Sequence, residues 1–377
     1  MKTPYYSYKV GKLAKGCELC VQGKKLVLFI TGLCPRCCDF CPISDAKYKK
    51  DVIFADEWQI SDLKDILKEA RSIDAKGAGI TGGDPLCRLD RTISVIRMLR
   101  SKYGKKFHIH LYTSLNLVTK PTLDRLYQAG LDEIRFHLDF NKTTLWKKIE
   151  LAFPYNWDVG IEIPAIPGNE KVIKQIIKNI HDYNQNRQNI KFLNLNELEV
   201  ADNKVSKLLE KGFKTKEKYS YAVKGSEELA LKLLNFIEKN KLRVNVHYCT
   251  ATLKDKVQLA NRIKRRAKNI KKPYDTVTED GTLIRGAIYL ERPSFGYRKM
   301  LEKLTVKQRR DYLLRLGKIR DRIIKIYNVQ PESIEIDKEK LRVLTKPSIL
   351  KRIKEPIRAI VEEYPTQDQT ELSIEFL

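Results

Sequence analysis

The sequence predicts an α/β fold: parallel strands joined by helical crossovers into an open or closed barrel, followed by a smaller C-terminal α+β module. Three observations lead there. Short apolar runs rich in β-branched and aromatic residues alternate with helical patterns as far as residue 248, and such alternation argues for parallel strands with right-handed crossovers. The strand candidates end on polar or glycine-rich stretches, as expected where site residues gather at strand C-termini. After Tyr248 the pattern gives way to a basic helix and mixed elements.

The elements follow in order. Residues 26–31 form a continuous apolar run closed by Gly32, the signature of a buried strand that feeds a loop. A helical pattern covers 61–71, and a short strand over 77–81 ends at Gly82-Gly83. Ile93, Ile96 and Leu99 mark the face of the next helix. Strands are expected at 107–113, 131–138, 159–163, 191–195 and 242–248, with helices at 122–129, 144–152, 172–183 and 226–240. Residues 253–272 read as one basic amphipathic helix ended by Pro273. A hairpin about Asp280-Gly281, a helix over 306–327 and strands at 333–337 and 371–376 complete the C-terminal module. The expected division is therefore an N-terminal extension over 1–24, a barrel over 25–250 and a C-terminal module over 251–377.

The most informative stretch is the loop after the first strand, where Cys34, Cys38 and Cys41 stand in C-x3-C-x2-C spacing with Phe40 before the last cysteine. Three thiolates on one loop can ligate three irons of a 4Fe–4S cluster and leave the fourth iron open. With Cys37 as a fourth thiolate, a closed zinc site is the alternative. The spacing and its aromatic residue resemble the signature of the radical S-adenosylmethionine (SAM) superfamily. The resemblance implies a partial (β/α)6 radical SAM barrel. It implies a 4Fe–4S cluster on Cys34, Cys38 and Cys41, with SAM chelated at the open iron. Reductive cleavage of SAM would then give methionine and a 5′-deoxyadenosyl radical. The low-potential electron donor implied is a ferredoxin or a flavodoxin.

Ile80-Thr81-Gly82-Gly83-Asp84-Pro85-Leu86 resembles the Gly-Gly-Glu-Pro-like segment of that superfamily, with Asp84 in place of the glutamate. The resemblance assigns Gly82, Gly83, Asp84 and Pro85 to SAM binding, and glycines permit close backbone approach. Polar residues also recur at later strand ends. His108, His110, Thr113 and Ser114 follow the third strand, and Arg135, His137 and Asp139 alternate on the fourth. Glu162 lies on the fifth, while Asn194, Asn196 and Glu197 end the sixth. Alternating residues share a face, and a central parallel strand is normally buried on both sides. A polar face there points to a ligand-filled lumen, so Ser114, Asp139 and Glu162 join the expected SAM and substrate site. The segment 162–168 resembles glycyl-radical (pyruvate formate-lyase) activating enzymes, among archaeal-like relatives.

A second metal site is conceivable. Cys17 and Cys20 have C-x2-C spacing, and His247 and Cys249 end the last barrel strand. If first and last strands approach one another, these four residues would hold zinc or an auxiliary iron–sulfur cluster.

The formal net charge of +26 creates a field that attracts polyanions. That charge and the helix over 253–272 make RNA, such as a tRNA base, the first expected substrate. A protein substrate, as for a glycyl-radical activase, is the second, and a non-catalytic zinc and RNA-binding protein the third. No apolar run is long enough to span a membrane, and the N-terminus lacks a signal-peptide pattern. A cytoplasmic setting is therefore expected, where clustered cysteines serve as metal ligands more often than disulfides.

Overall fold

Seven parallel strands form the middle of a ten-stranded sheet, and the computed structural model describes every residue around them except Phe295 and Pro356. The chain divides into two units, Met1–Arg262 and Ile263–Leu377.

In the first unit, β1 (Tyr8–Val10) and α1 (Lys15–Val21) precede the first barrel strand, β2 (Lys25–Phe29). A small hairpin, β3 (Phe54–Ala55) and β4 (Trp58–Gln59), follows the cysteine loop. Alternation then begins: α2 (Lys64–Ser72), β5 (Gly77–Thr81), α3 (Leu89–Tyr103), β6 (His108–Ser114), α4 (Lys120–Ala129) and β7 (Glu133–His137). It continues with β8 (Asp158–Ala165), α5 (Glu170–Tyr183), β9 (Phe192–Glu197), α6 (Ser226–Lys239) and β10 (Val246–Cys249). Strand order is β1-β10-β9-β8-β7-β6-β5-β2-β3-β4. Pairing is parallel from β10 to β2 and antiparallel at both ends. The sequence explains both strand faces. Leu26, Leu28, Ile80, Ile109, Leu111, Ile134, Phe136, Ile161, Ile163, Leu193 and Leu195 pack under the helices in one apolar core. The alternate residues face the lumen.

Three expectations need correction. Residues 1–24 are part of the first unit and not an appendage: β1 pairs with β10, and Gly16 of α1 lies so close to His110 and Arg135 that a Cβ would collide with both. The segment 144–152 is a 3-10 helix, Thr143–Ala152, tied down by the Trp146 indole, which donates to Asp139 O at 2.8 Å. The basic segment is one continuous helical run, but not a regular one. α7 (Ala251–Leu253) leads into a π-helical stretch, Lys254–Leu259, before α8 (Ala260–Ile270). The wider turns of that stretch accompany the use of Lys254 in the lumen described below, and π segments often mark such places.

The second unit is an antiparallel sheet with helices on it. β11 (Thr276–Val277) and β12 (Leu283–Tyr289) form the expected hairpin, with Gly281 at φ +86°. Next come α9 (Tyr297–Glu302) and α10 (Val306–Tyr327). α10 begins with a capping box in which Thr305 and Gln308 satisfy each other's backbone N–H. β13 (Ile334–Asp337), β14 (Arg342–Thr345), α11 (Pro347–Leu350), β15 (Arg358–Glu363) and β16 (Glu371–Phe376) follow, in sheet order β13-β14-β12-β15-β16. Leu316 and Ile323 of α10 pack with Ile288 and Val343 of the sheet.

Candidate active site

Strand register gathers the polar residues onto the lumen face. Gly79 pairs with His110, Tyr112 with Arg135, Glu162 with Asn194, and Asn196 with Cys249. A cavity of about 500 Å³ lies on this face. It is lined by Cys34, Cys38 and Cys41, by Gly82 and Gly83, and by residues of every parallel strand from β2 to β9, together with Lys254.

The cysteine loop is irregular and held at its base. Gly83 N donates to Thr31 O (2.7 Å) and Asp84 N to Leu33 O (2.8 Å). A side chain on Gly83 would run into the Leu33 carbonyl, so this close approach requires glycine. Cys34, Cys38 and Cys41 are partly buried and face the cavity, whereas Cys37 is exposed and does not line it. Burial pushes the Cys34 thiol up to about 12 and raises Cys38 and Cys41 as well. Metal binding here must therefore displace protons.

The Asp84 side chain is buried and engaged within the protein. Its carboxylate, 1% exposed, accepts from Leu86 N (3.0 Å), Thr113 Oγ1 (2.8 Å), Ser114 N (3.1 Å) and Ser114 Oγ (2.7 Å). It locks the glycine pair to the end of β6, and Ser114 Oγ is committed to that lock. Each such bond to a charged acceptor contributes about 1.5–3 kcal/mol; together they oppose, without overcoming, the burial that raises the Asp84 carboxyl. Asp139 likewise turns to the loop: it pairs with Arg36 at 3.2 Å, and Arg36 also donates to His137 O at 3.3 Å. His137 lines the cavity with its ring 5.7 Å from that of Phe40, the aromatic residue before the last cysteine.

Glu162 stands where cavity and floor meet. It accepts from Arg135 (2.8 Å), Asn194 (2.9 Å) and Asn196 (3.0 Å). Arg135 also donates to Glu133 (2.5 Å) and to the Tyr112 hydroxyl (3.2 Å). Lys25 lies 2.8 Å from His108 Nδ1, and burial lowers it to about 8. Burial raises the Glu133 carboxyl, but Arg135, His108 and Lys25 outweigh it and hold the group at about 2. Neither ring nitrogen of the buried His110 has a hydrogen-bond partner.

The four residues expected at a second metal sit in different surroundings. Cys17 accepts from Asn194 (3.2 Å) and Arg135 (3.7 Å), and His247 Nε2 lies 3.1 Å from Ser7 Oγ. Cys249 accepts from Gln258 at 3.8 Å, and Cys20 faces the cavity. Among the described residues no three His, Cys, Asp or Glu side chains converge as metal ligands. That statement covers both cysteine sets, but their surroundings differ. The thiols of 17 and 249 are engaged by donors from packed elements, while those of 34, 38 and 41 sit on a loop without regular structure, facing open space. Three soft thiols and a glycine cradle at one rim fit a cluster with an open iron and a small ligand on it. Sequence reasoning missed Arg36, Tyr112, Lys254 and Asn203. Tyr112 was legible, since it alternates with His110 and Ser114.

Fold and site together define a cluster-dependent enzyme of the parallel-barrel type. A family model described as Radical SAM superfamily matches residues 28–203, and the chain belongs to that superfamily. The superfamily's cofactors are a 4Fe–4S cluster and SAM. A protein of Methanocaldococcus jannaschii, provisionally named as a glycyl-radical enzyme activating enzyme, is 40% identical over 296 residues, 76% of each chain. Solved structures are similar at lower identity. The maturase of the FeFe-hydrogenase matches at 13% identity and TM-score 0.41, over 67% of this chain and 65% of its own. Methylornithine synthase matches at 12% and 0.39, over 56% and 62%. The chain spans less than two thirds of the length of either structure. No helix among the described residues is long and apolar enough to cross a membrane.

Proposed function

We propose that this radical SAM enzyme acts on a protein and installs a glycyl radical in it. The observation that carries the reading is the 40% identity, over 76% of both chains, to a protein provisionally named as an activating enzyme of that kind. Bound at the site, a 4Fe–4S cluster and SAM would supply radical chemistry driven by one electron from a ferredoxin or flavodoxin: cleavage of SAM to methionine and a 5′-deoxyadenosyl radical able to take a hydrogen atom from the substrate. In this reading Cys34, Cys38 and Cys41 hold the cluster, and the backbone at Gly82–Gly83 receives the SAM amino group. Asp84 and Ser114 brace that backbone from behind. Arg36, paired with Asp139, fixes the loop to the end of β7. Glu162 and Asn196 meet the ligands from the floor.

The RNA reading rested on the net charge of +26 and on the basic helix over 253–272. Three of its cations are engaged within the protein: Lys254 with Glu199, Arg262 with Asp56 at 2.8 Å, and Arg266 with Pro365 O. That leaves less of a continuous phosphate track than the sequence implied.

The test uses reconstituted enzyme, reductant, SAM and a glycyl-radical-type partner under anaerobic conditions. The expected result is an organic radical on the partner, lost when its acceptor glycine becomes alanine, with 5′-deoxyadenosine formed in step. If transfer RNA and not the polypeptide stimulates SAM cleavage, the reading is wrong.

A further inference from the structure

The 28-residue connection from β9 to α6, residues 198–225, has no role in the account so far. It leaves the strand whose last residues, Asn196 and Glu197, line the cavity, and it returns across the outer half of the cysteine loop. Asn203 is the point of closest engagement. Its Nδ2 donates to Cys41 O (3.0 Å) and to Ile43 O (2.9 Å). Its Oδ1 accepts from Val205 N (3.0 Å) and Ser206 N (2.7 Å). Every donor and acceptor of the amide is thereby used, and the turn it caps fixes which way the donors point.

Neighbouring bonds run the same way. Lys207 N donates to Asp39 O (2.7 Å), Lys204 N to Asp45 Oδ1 (3.1 Å), and Lys211 pairs with Asp39. The two ends of the cysteine loop are thus held by different parts of the fold. The Thr31–Leu33 end is clasped by Gly83 and Asp84, and the segment from Asp39 to Asp45 by this connection.

We infer that Asn203 is a positioning residue for Cys41, and through it for the iron–sulfur cluster. The inference rests on Cys34, Cys38 and Cys41 as the cluster ligands. The physical case is that a thiolate is aimed by its backbone. The carbonyls of Cys41 and Ile43 bracket the last ligand, and one rigid amide ties both to the connection that leaves β9. Groups that orient metal ligands are commonly worth tenfold or more in metal retention.

Two substitutions separate this role from simple support of the connection. Asn203→Asp keeps the oxygen that caps the turn but replaces both N–H donors with an acceptor facing two carbonyls. Ser206→Ala removes a hydroxyl that has no hydrogen-bond partner and serves as the control. With reconstituted protein, Asn203→Asp should lose iron to a chelator about tenfold faster than wild type, and the electron paramagnetic resonance spectrum of its reduced cluster with SAM should change. Ser206→Ala should match wild type in both. A Cys41→Ala arm that retained a normal cluster would refute the ligand assignment itself. With that assignment intact, an Asn203→Asp protein matching wild type in chelator loss and spectrum would overturn the positioning role. If the variant does not fold, hydrogen exchange on wild type decides. The Lys207 amide should exchange about tenfold more slowly once the cluster is assembled, and an unchanged rate overturns the inference.

Discussion

The barrel lumen and the C-terminal sheet both bury charge, in opposite ways. In the C-terminal unit, Glu363 is fully buried and receives Lys340 (2.7 Å), Arg342 (2.5 Å) and Arg285 (2.9 Å). Asp275 and Asp337 complete the arginines at 2.6 and 2.9 Å. In the lumen, Arg135 and Glu162 are as well paired, yet His110 and His137, which line the cavity, each keep a buried atom without a partner. Buried polar groups are normally satisfied. A closed network of ions is architecture, whereas a network with loose ends facing a cavity is prepared for something else to enter.

Acid should expose the contrast most strongly. All five histidines of the chain lie in the first unit. Burial, reinforced by Arg36, lowers His137 to about 4, and burial lowers His247 to about 4. Burial, with Arg135, Lys25 and His108 adding to it, holds His110 well below its ordinary value. These groups bind protons more readily when unfolded. Their contribution to stability is complete above their unfolded value of about 6.5 and is lost as pH falls toward about 4. Hydrogen exchange followed between those limits should show the first unit opening while the C-terminal unit holds. Simultaneous loss of protection in both units would erase the distinction.

Glu363→Ala should come next in size. It leaves Lys340, Arg342 and Arg285 buried with too few anions, and removal of one member of such a network costs about 3–5 kcal/mol. Denaturant unfolding of the full chain measures this, and a cost below about 1 kcal/mol would mean that the cluster behaves as surface charge.

Glu162→Gln should invert the pattern, harming function more than stability. Glutamine keeps an oxygen for Asn194 or Asn196 but loses the charge opposite Arg135. A hydrogen bond to a charged group is worth about 1.5–3 kcal/mol, so SAM cleavage with partner should fall roughly ten- to hundredfold. The midpoint of unfolding should move much less. A variant that unfolds readily yet turns over normally would make the lumen network structural too.

What could be read from the sequence follows the range of the forces involved. The barrel strands and most crossovers were legible because a strand buried on both faces must be apolar on one and, around a cavity, polar on the other. Cys34, Cys38 and Cys41 were legible because three ligands on one loop are a local pattern. α10 was legible at both ends, since the helix read over 306–327 is the one observed. Long-range closures were not. Tyr8-Lys9-Val10 is too short and mixed to announce a strand, and only its register with Val246–Tyr248 makes it one. Arg342–Thr345 begins with a buried arginine, so its strand was missed along with β15. The Cys17, Cys20, His247 and Cys249 set had suitable spacing in sequence, but nothing local announces that Arg135 and Asn194 donate to the Cys17 thiol. Asn203 reads locally as a turn cap and no more, since its other partners are two carbonyls some 160 positions earlier.

Two glycines offer the smallest and cleanest comparison. Gly16 lies on α1 beneath the lumen, where a Cβ would stand 2.5 Å from His110 Nδ1 and closer still to Arg135 Nη2. Either side chain could retreat if it were free. Arg135 is held by Glu133, Glu162 and Tyr112, and His110 is packed at 1% exposure. Gly16→Ala should therefore cost about 1–3 kcal/mol by overpacking, less whatever α1 gains in helix propensity. Gly317 sits in α10 with nothing within 4 Å of its would-be Cβ. There the same substitution should stabilise by about 0.5–1 kcal/mol, because alanine restricts the unfolded chain and favours the helix. Opposite signs for one chemical change are the expected outcome, read as shifts in denaturation midpoint. Gly16→Ala should also lower SAM cleavage, since Arg135 cannot move without disturbing Glu162. If Gly16→Ala stabilises as Gly317→Ala does, α1 does not press on the lumen floor, and the first twenty-four residues are a separate extension of the barrel.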